Sequence, residues 1–271
     1  MRELLWICFT AAALGYLAAG ALFIDLIRRQ KPRPFATRFA GRFLKIGLLA
    51  HVGYQVLDAI RTQECPMFSL RSALGMVSLA GVVAYTIMAR NRRLDALGVL
   101  VSSAAVFFLI AAQTVGDSVT PDIAPWLIAL HITSNLVGSG ILLVAGGASL
   151  FYLLQARRLK NRVLLGQGPR LPALDVLDNT VHRLLWIGVP ILTLGMLTGR
   201  FVVKQMGAMT SGDHLRAILS GVAWGLLVIA LVLRQALDWR GRRSAYLTVA
   251  GTLGVLVVVV LYILRALGVM K

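Results

Sequence analysis

Acidic side chains are scarce in this chain. Only 11 Asp and Glu stand against 28 Lys and Arg, and charged residues of both signs make up 14% of 271 positions. Inside the apolar stretches carboxylates are nearly absent, with Asp25 at the end of the first and Asp58 near the end of the second. Proton relays and ion-coupled transport draw on buried ionisable groups, so this supply argues against both. There are two cysteines, Cys8 and Cys65, without CxxC spacing, which excludes a disulfide framework and a thiol metal site. A bridge between those two is geometrically open, the other reading being burial as small hydrophobes. No GxSxG, HExxH, Walker or Rossmann pattern occurs, so hydrolytic, nucleotide-binding and dinucleotide chemistry have no residues to rest on.

What the chain does have is apolar length. It is 58% hydrophobic with a mean hydropathy of +0.79, well beyond a water-soluble domain of this size. Eight runs are long enough to cross a bilayer, at about 18 residues or more each. They are Leu4 to Ile27, Phe43 to Ile60, Ser72 to Ala89, Leu97 to Val115, Trp126 to Leu154, Leu184 to Val203, Leu215 to Leu237 and Tyr246 to Leu267. The expected fold is all-α, a polytopic membrane protein with eight transmembrane helices in one membrane domain over residues 1–271 and no soluble domain. The first run is too long for a signal peptide and has no small-residue cleavage site.

The net charge of +17 does not point to nucleic acid, because the basic residues fall between apolar runs rather than on one soluble face. They alternate in sidedness. The connections spanning 28–45, 90–93, 157–183 and 234–243 hold 20 of the 28 Lys and Arg. The positive-inside rule makes that side cytoplasmic and puts both termini on the other, as expected for a multi-pass protein of the cell (inner) membrane. The basic connection after the first run, with Pro32 and Pro34, reads as a surface loop against anionic headgroups.

The run from Trp126 to Lys160 organises the rest. It begins with an interfacial tryptophan, ends on Arg157, Arg158 and Lys160, and holds His131 about 7 Å from Trp126 along a helix. Asn135 and Gly138 follow at i+4 and i+7 on the same face, so a polar group gives way to small residues that admit a close neighbour. His51 in the second run lies about 12 Å in from Phe43, with Gly47, Gln55 and Asp58 on its face. A histidine at that depth is a functional candidate, or else a neutral ring satisfied by a neighbouring carbonyl or hydroxyl.

The remaining features are weaker. Leu171, Leu174 and Leu177, with Asp175, Asp178 and Asn179, fit a short interfacial helix after Pro172, with His182 at its junction with the sixth run. Pro190 should bend that run, and Gly195 and Gly199 form a GxxxG pair. Arg200 and Lys204, read as outer-loop residues on the side of His131, are cations able to hold a carboxylate or simply be solvated. His214 opens the seventh run behind the capping residues Ser211 and Asp213.

A few histidines on helices with small-residue faces suit heme better than any other ligand. Its iron takes imidazole axially, its plane needs clearance between helices, and its propionates want Arg or Lys near water. The order of features also resembles the cytochrome c assembly family, closest to its eight-span, HemX-type branch, a family that includes CcsA and CcmC. The resemblance runs over nearly the whole chain. It is carried by His51 in the second run, Pro66 to Ser69, RLDALGVLV opening the fourth, and Leu130, His131 and Ile132. Further on come LFYLLQARRLK, LPALDVLDNTVHRLLWIGVPILTLGMLTG and DWRGRRSAYL.

The resemblance implies a heme-handling protein of cytochrome c biogenesis or heme supply, without catalysis of its own. It implies heme as cofactor, an external heme ligand at His131 and a membrane-embedded one at His51. His214 becomes a candidate second outer ligand, with Arg200 and Lys204 as candidate propionate partners. The chain departs from the family in three places. KQMGAMTSGD lacks the tryptophan-rich outer segment, Val232 stands near the expected second membrane histidine, and no histidine follows the eighth run. These departures set it apart from the family's heme lyases. Partners expected on this reading are heme, the lipid bilayer and other assembly or heme-synthesis proteins, with no nucleic acid. The competing reading is a non-heme membrane interaction protein that binds a tetrapyrrole-synthesis enzyme or assembly partner through the basic loops Arg28 to Arg42 and Arg157 to Arg170. A small-molecule exporter, the third class, has neither internal repeats nor coupling carboxylates.

Overall fold

The computed structural model describes residues 2–29, 31, 33–62, 70–91, 94–114, 124–161, 171–206, 211–237 and 239–266. The described residues form eight α-helices: α1 (Arg2–Arg28), α2 (Pro34–Thr62), α3 (Leu70–Met88), α4 (Asp95–Thr114), α5 (Pro125–Lys160), α6 (Leu174–Met206), α7 (Ser211–Ala236) and α8 (Arg242–Ala266). Seven are long and apolar enough to cross a membrane. The remaining one, α3, has 19 residues, or about 28 Å at 1.5 Å per residue, close to the hydrocarbon thickness. Large apolar side chains such as Leu14, Leu49, Phe107, Leu197, Ile218 and Leu253 lie exposed along these helices, as lipid-facing residues do. The chain is an all-α polytopic membrane protein.

The long middle helix, α5, is the axis of the bundle. Pro125 stands in its first turn and Arg157, Arg158 and Lys160 in its last; a proline needs no donor there, and cations there meet the negative helix end. It packs against α3, α4, α6 and α8, while α1 lies between α2 and α4, and α7 pairs with α8. Leu142, Ala145 and Ala148 of α5 are fully buried. Small residues set these contacts. A β-carbon on Gly140 would fall 2.5 Å from the Val77 carbonyl oxygen of α3, and one on Gly15 would fall 2.8 Å from Cα of Gly47.

Three local expectations are corrected. The basic connection after α1 is short, because α2 starts at Pro34 and takes up Arg38, Arg42 and Lys45. Proline suits a first helical turn, and nothing from Phe35 to Lys45 breaks a helix. The separate helix expected near Leu174 is the start of α6, which runs unbroken from Leu174 through Pro190 to Met206. Leu177 is fully buried rather than interfacial. Arg200 and Lys204 belong to the last turns of α6, not to a loop. Cations are favourable at that end of a helix, and Gly199, the second member of the GxxxG pair, is a packing residue as expected.

At the end of the bundle where α6 begins and α7 finishes, Asp178 of α6 receives both arms of Arg234 of α7, at 2.9 and 2.6 Å, and the Gly241 amide at 3.2 Å. Gly241 has φ of 77°, a left-handed turn that favours glycine. Two stretches singled out in the sequence, LDNTVHR and DWRGRRSAY, meet in this clamp.

Candidate functional site

His131 sits in a socket made by two antiparallel helices in register. Down the α5/α6 seam His131 rests on Gly199, Asn135 on Gly195, Gly138 on Leu192 and Leu142 on Gly188. A β-carbon at Gly199 would lie 2.7 Å from Cε1 of His131, and one at Gly195 would lie 2.6 Å from Cγ of Asn135. The GxxxG pair of α6 is therefore the floor on which the polar face of α5 lies.

The hydrogen bonds around the ring assign its tautomer. Nδ1 of His131 is 2.8 Å from the Gly195 carbonyl oxygen, a contact that needs a proton on the nitrogen. Thr198 Oγ1, 3.5 Å from Nδ1, donates to the Leu194 and Gly195 carbonyls at 2.9 and 3.0 Å. Asn135 Nδ2 donates to the His131 carbonyl at 2.7 Å and lies 3.1 Å from Nδ1. With Nδ1–H donating to Gly195, Nε2 keeps its lone pair, and among the described residues no hydrogen bond uses it. A backbone carbonyl behind one nitrogen and a free lone pair on the other is the arrangement of a metal-ligating histidine.

His51 is placed differently. It is wholly buried among α1, α2 and α3, with Nδ1 3.2 Å from the Tyr16 hydroxyl and Nε2 without a partner among the described residues. The polar face beyond it extends as a network. Gln55 donates to the Ser72 carbonyl at 3.1 Å. Arg71 donates to Tyr54 Oη at 2.9 Å and to Gln113 Oε1 at 3.0 Å, and Gln113 donates to Tyr54 at 2.6 Å. Asp58 pairs with Arg61 at 2.9 Å and lies 3.9 Å from Arg71. Sequence reasoning found His51, Gln55 and Asp58 but missed Tyr16, Tyr54, Arg71, Gln113 and Thr198. Their signal was a polar group within or at the edge of an apolar run.

The other candidates are not drawn into either cluster. His214, Arg200 and Lys204 are exposed. Near His214, Asp213 pairs with Arg216 at 2.5 Å and with Arg265, and Arg216 stacks over the Tyr262 ring. Val232, standing where a second membrane histidine was expected, is 52% exposed and faces out of the bundle. Cys65 and the segment Pro66 to Ser69 lie outside the described residues, as does the middle of KQMGAMTSGD, residues 207–210.

The family model described as "Cytochrome C assembly protein" matches residues 67–269. This chain belongs to the cytochrome c assembly protein family. Inner membrane protein YpjD of Escherichia coli K12 is 29% identical over 184 residues, 68% of this chain and 69% of its own. Cytochrome c biogenesis protein CcsA of Crocosphaera subtropica is 22% identical over 254 residues, covering 88% of this chain and 71% of its own. The CcsA of Thermosynechococcus vestitus is 33% identical over 83 residues, 30% of this chain and 26% of its own. No solved structure matches. Both histidine environments fall in this cytochrome c assembly protein as separate packing units, one at the α5/α6 seam and one among α1, α2 and α3. Among the described residues there is no group of three or more His, Cys, Asp or Glu that could hold a metal ion.

Proposed function

We propose that this protein binds heme at the outer face of the inner membrane through Nε2 of His131 and handles it without catalysing a reaction, as a HemX-like member serving cytochrome c biogenesis or heme supply. The hydrogen bond from His131 Nδ1 to the Gly195 carbonyl carries this reading, because it orients the ring and leaves Nε2 as the nitrogen that would hold the iron. Heme so held would supply a redox-active, transferable iron–porphyrin. The chain's part is to orient the imidazole through Gly195, Thr198 and Asn135, and to offer Arg200, next to Gly199, and Lys204, a turn further along α6, to the propionates. His51 is the candidate ligand of a second, membrane-embedded heme. Membership in the family supports the reading, as do relatives named for cytochrome c biogenesis and for the inner membrane. The basic connections put both termini on the non-cytoplasmic side, which reporter fusions at either end test directly.

The deciding experiment is the oxidised and reduced absorption spectrum of the detergent-purified protein with heme quantified, beside His131→Ala and His51→Ala. A Soret band that falls in His131→Ala supports the reading. A colourless wild type that takes up no added heme refutes it, and charge reversal at Arg38, Arg42, Arg157 and Arg158 with partner recovery then tests the interaction reading.

A further inference from the structure

The buried ring of His51 has a nitrogen that its surroundings leave unused, and a single side chain lies over it. Helices α2 and α3 run antiparallel, so that His51 faces Gly75, Gln55 faces Ser72, and Asp58 faces Arg71. A β-carbon on Gly75 would overlap the Gln55 amide and stand 3.4 Å from Nε2 of His51. The amide therefore lies across the bare backbone of Gly75, beside the ring nitrogen. Gln55 donates to the Ser72 carbonyl at 3.1 Å and not to His51, whose Nε2 is buried without a partner. A buried polar atom left so in a membrane interior calls for an explanation beyond packing.

The geometry supplies one. Gln55 has a flexible side chain held over Gly75 by one described hydrogen bond, to a carbonyl that already lies within a helix. Turned outward, it would open a slot between α2 and α3 over the bare backbone of Gly75. The Tyr16 hydroxyl can accept from Nδ1 of His51, which leaves the Nε2 lone pair facing that slot.

We propose that Gln55 is the gate of a buried ligand slot between α2 and α3: lying on Gly75 it shuts the slot, and swung away it bares Nε2 of His51 to the centre of a flat metal complex. That this complex is heme rests on the function proposed above; the gate itself does not. Closed, the device keeps an unloaded imidazole away from other metals and from water. Open, it admits a planar ligand that the bare Gly75 backbone lets approach closely.

The test uses the full chain in detergent. Diethyl pyrocarbonate modifies unprotonated imidazole, and the mass of the peptide bearing His51 reads its exposure against the exposed His214. Wild type should show His214 modified and His51 protected. Gln55→Ala and Gln55→Ser, two variants too short to cover Gly75, should each speed modification of His51 by roughly tenfold or more, as removal of a closed local state does. Equal protection of His51 in both variants, with their melting unchanged, overturns the gate whatever the protein's relation to heme. Heme uptake is then followed by absorption in a His131→Ala background. Faster uptake with Gln55→Ala that is lost on adding His51→Ala supports heme as the ligand. An exposed His51 that takes none, while wild type binds heme through His131, overturns heme in the slot alone. Failure of every form to bind heme overturns both that assignment and the proposed function.

Discussion

Gly199→Ala tests the socket of His131 with the smallest change available. The new methyl would stand 2.7 Å from Cε1 and 3.1 Å from Nδ1 of the ring, where contacts under 3.0 Å essentially never occur. The imidazole must shift by several tenths of an ångström, and the bond it makes to Gly195 at 2.8 Å is the contact it loses. Losing a neutral hydrogen bond costs about 0.5–1.5 kcal/mol. Overpacking a close seam adds about 1–3 kcal/mol. Loss of the group that orients a metal-ligating histidine lowers metal affinity about 10–100-fold, or about 1.4–2.8 kcal/mol at 1.4 per factor of ten. Gly221→Ala is the control, since nothing lies within 4 Å of a β-carbon there; it should leave both readouts unchanged or raise stability by up to about 1 kcal/mol. The assays are heme titration followed at the Soret band and thermal unfolding in detergent. A Gly199→Ala protein that melts and binds as wild type, or a Gly221→Ala protein equally damaged, would refute the reasoning.

Other outcomes follow from the same structure. Arg234→Gln strips Asp178 of a two-armed partner, and because Arg234 is buried the loss should be about 3 kcal/mol, seen as a lower Tm. Replacing both partners, as in Asp178→Leu with Arg234→Met, should recover much of it. Gly140→Leu drives a side chain into the Val77 carbonyl and Ala80, so it should part α3 from α5 and lower the yield of monodisperse protein. Arg200→Gln with Lys204→Gln removes two exposed charges, so heme affinity should fall only a few-fold, by about 1 kcal/mol or less, and the difference should shrink as salt is raised. His214→Ala should leave heme content unchanged, since its side chain is exposed; loss of heme in that variant would restore it as an outer ligand.

Much of the fold was legible because a bilayer enforces it. An apolar run crossing lipid must satisfy its own backbone, so helix and span follow from length and hydropathy alone. The role of α5 as axis was readable in Gly138, Gly140, Gly146 and Gly147, small residues on several faces of one helix. Ends were less legible. Arg200 and Lys204 look like loop residues by polarity, yet they continue α6, because charge at a helix C-terminus is favourable and a membrane helix need not stop where the lipid does. The start of α6 was misread for the same reason. Leu174 and Leu177 show a helical period, but periodicity cannot say whether the apolar side meets headgroups or, as for Leu177, the core.

By itself the sequence determined the class of molecule, the number of helices and the two histidines worth weighing, since hydropathy and residue chemistry are local properties that survive without neighbours. It could not determine what each histidine faces. His131 and His51 each lie in an apolar run near glycines, and they differ in what other helices bring: for one, a carbonyl of Gly195 behind Nδ1, and for the other, the hydroxyl of Tyr16 and the bare backbone of Gly75. Gly195 is 64 residues from His131, and Tyr16 is 35 residues from His51. Only the register of packed helices, set by side-chain volume along whole seams, decides which atoms meet across such separations.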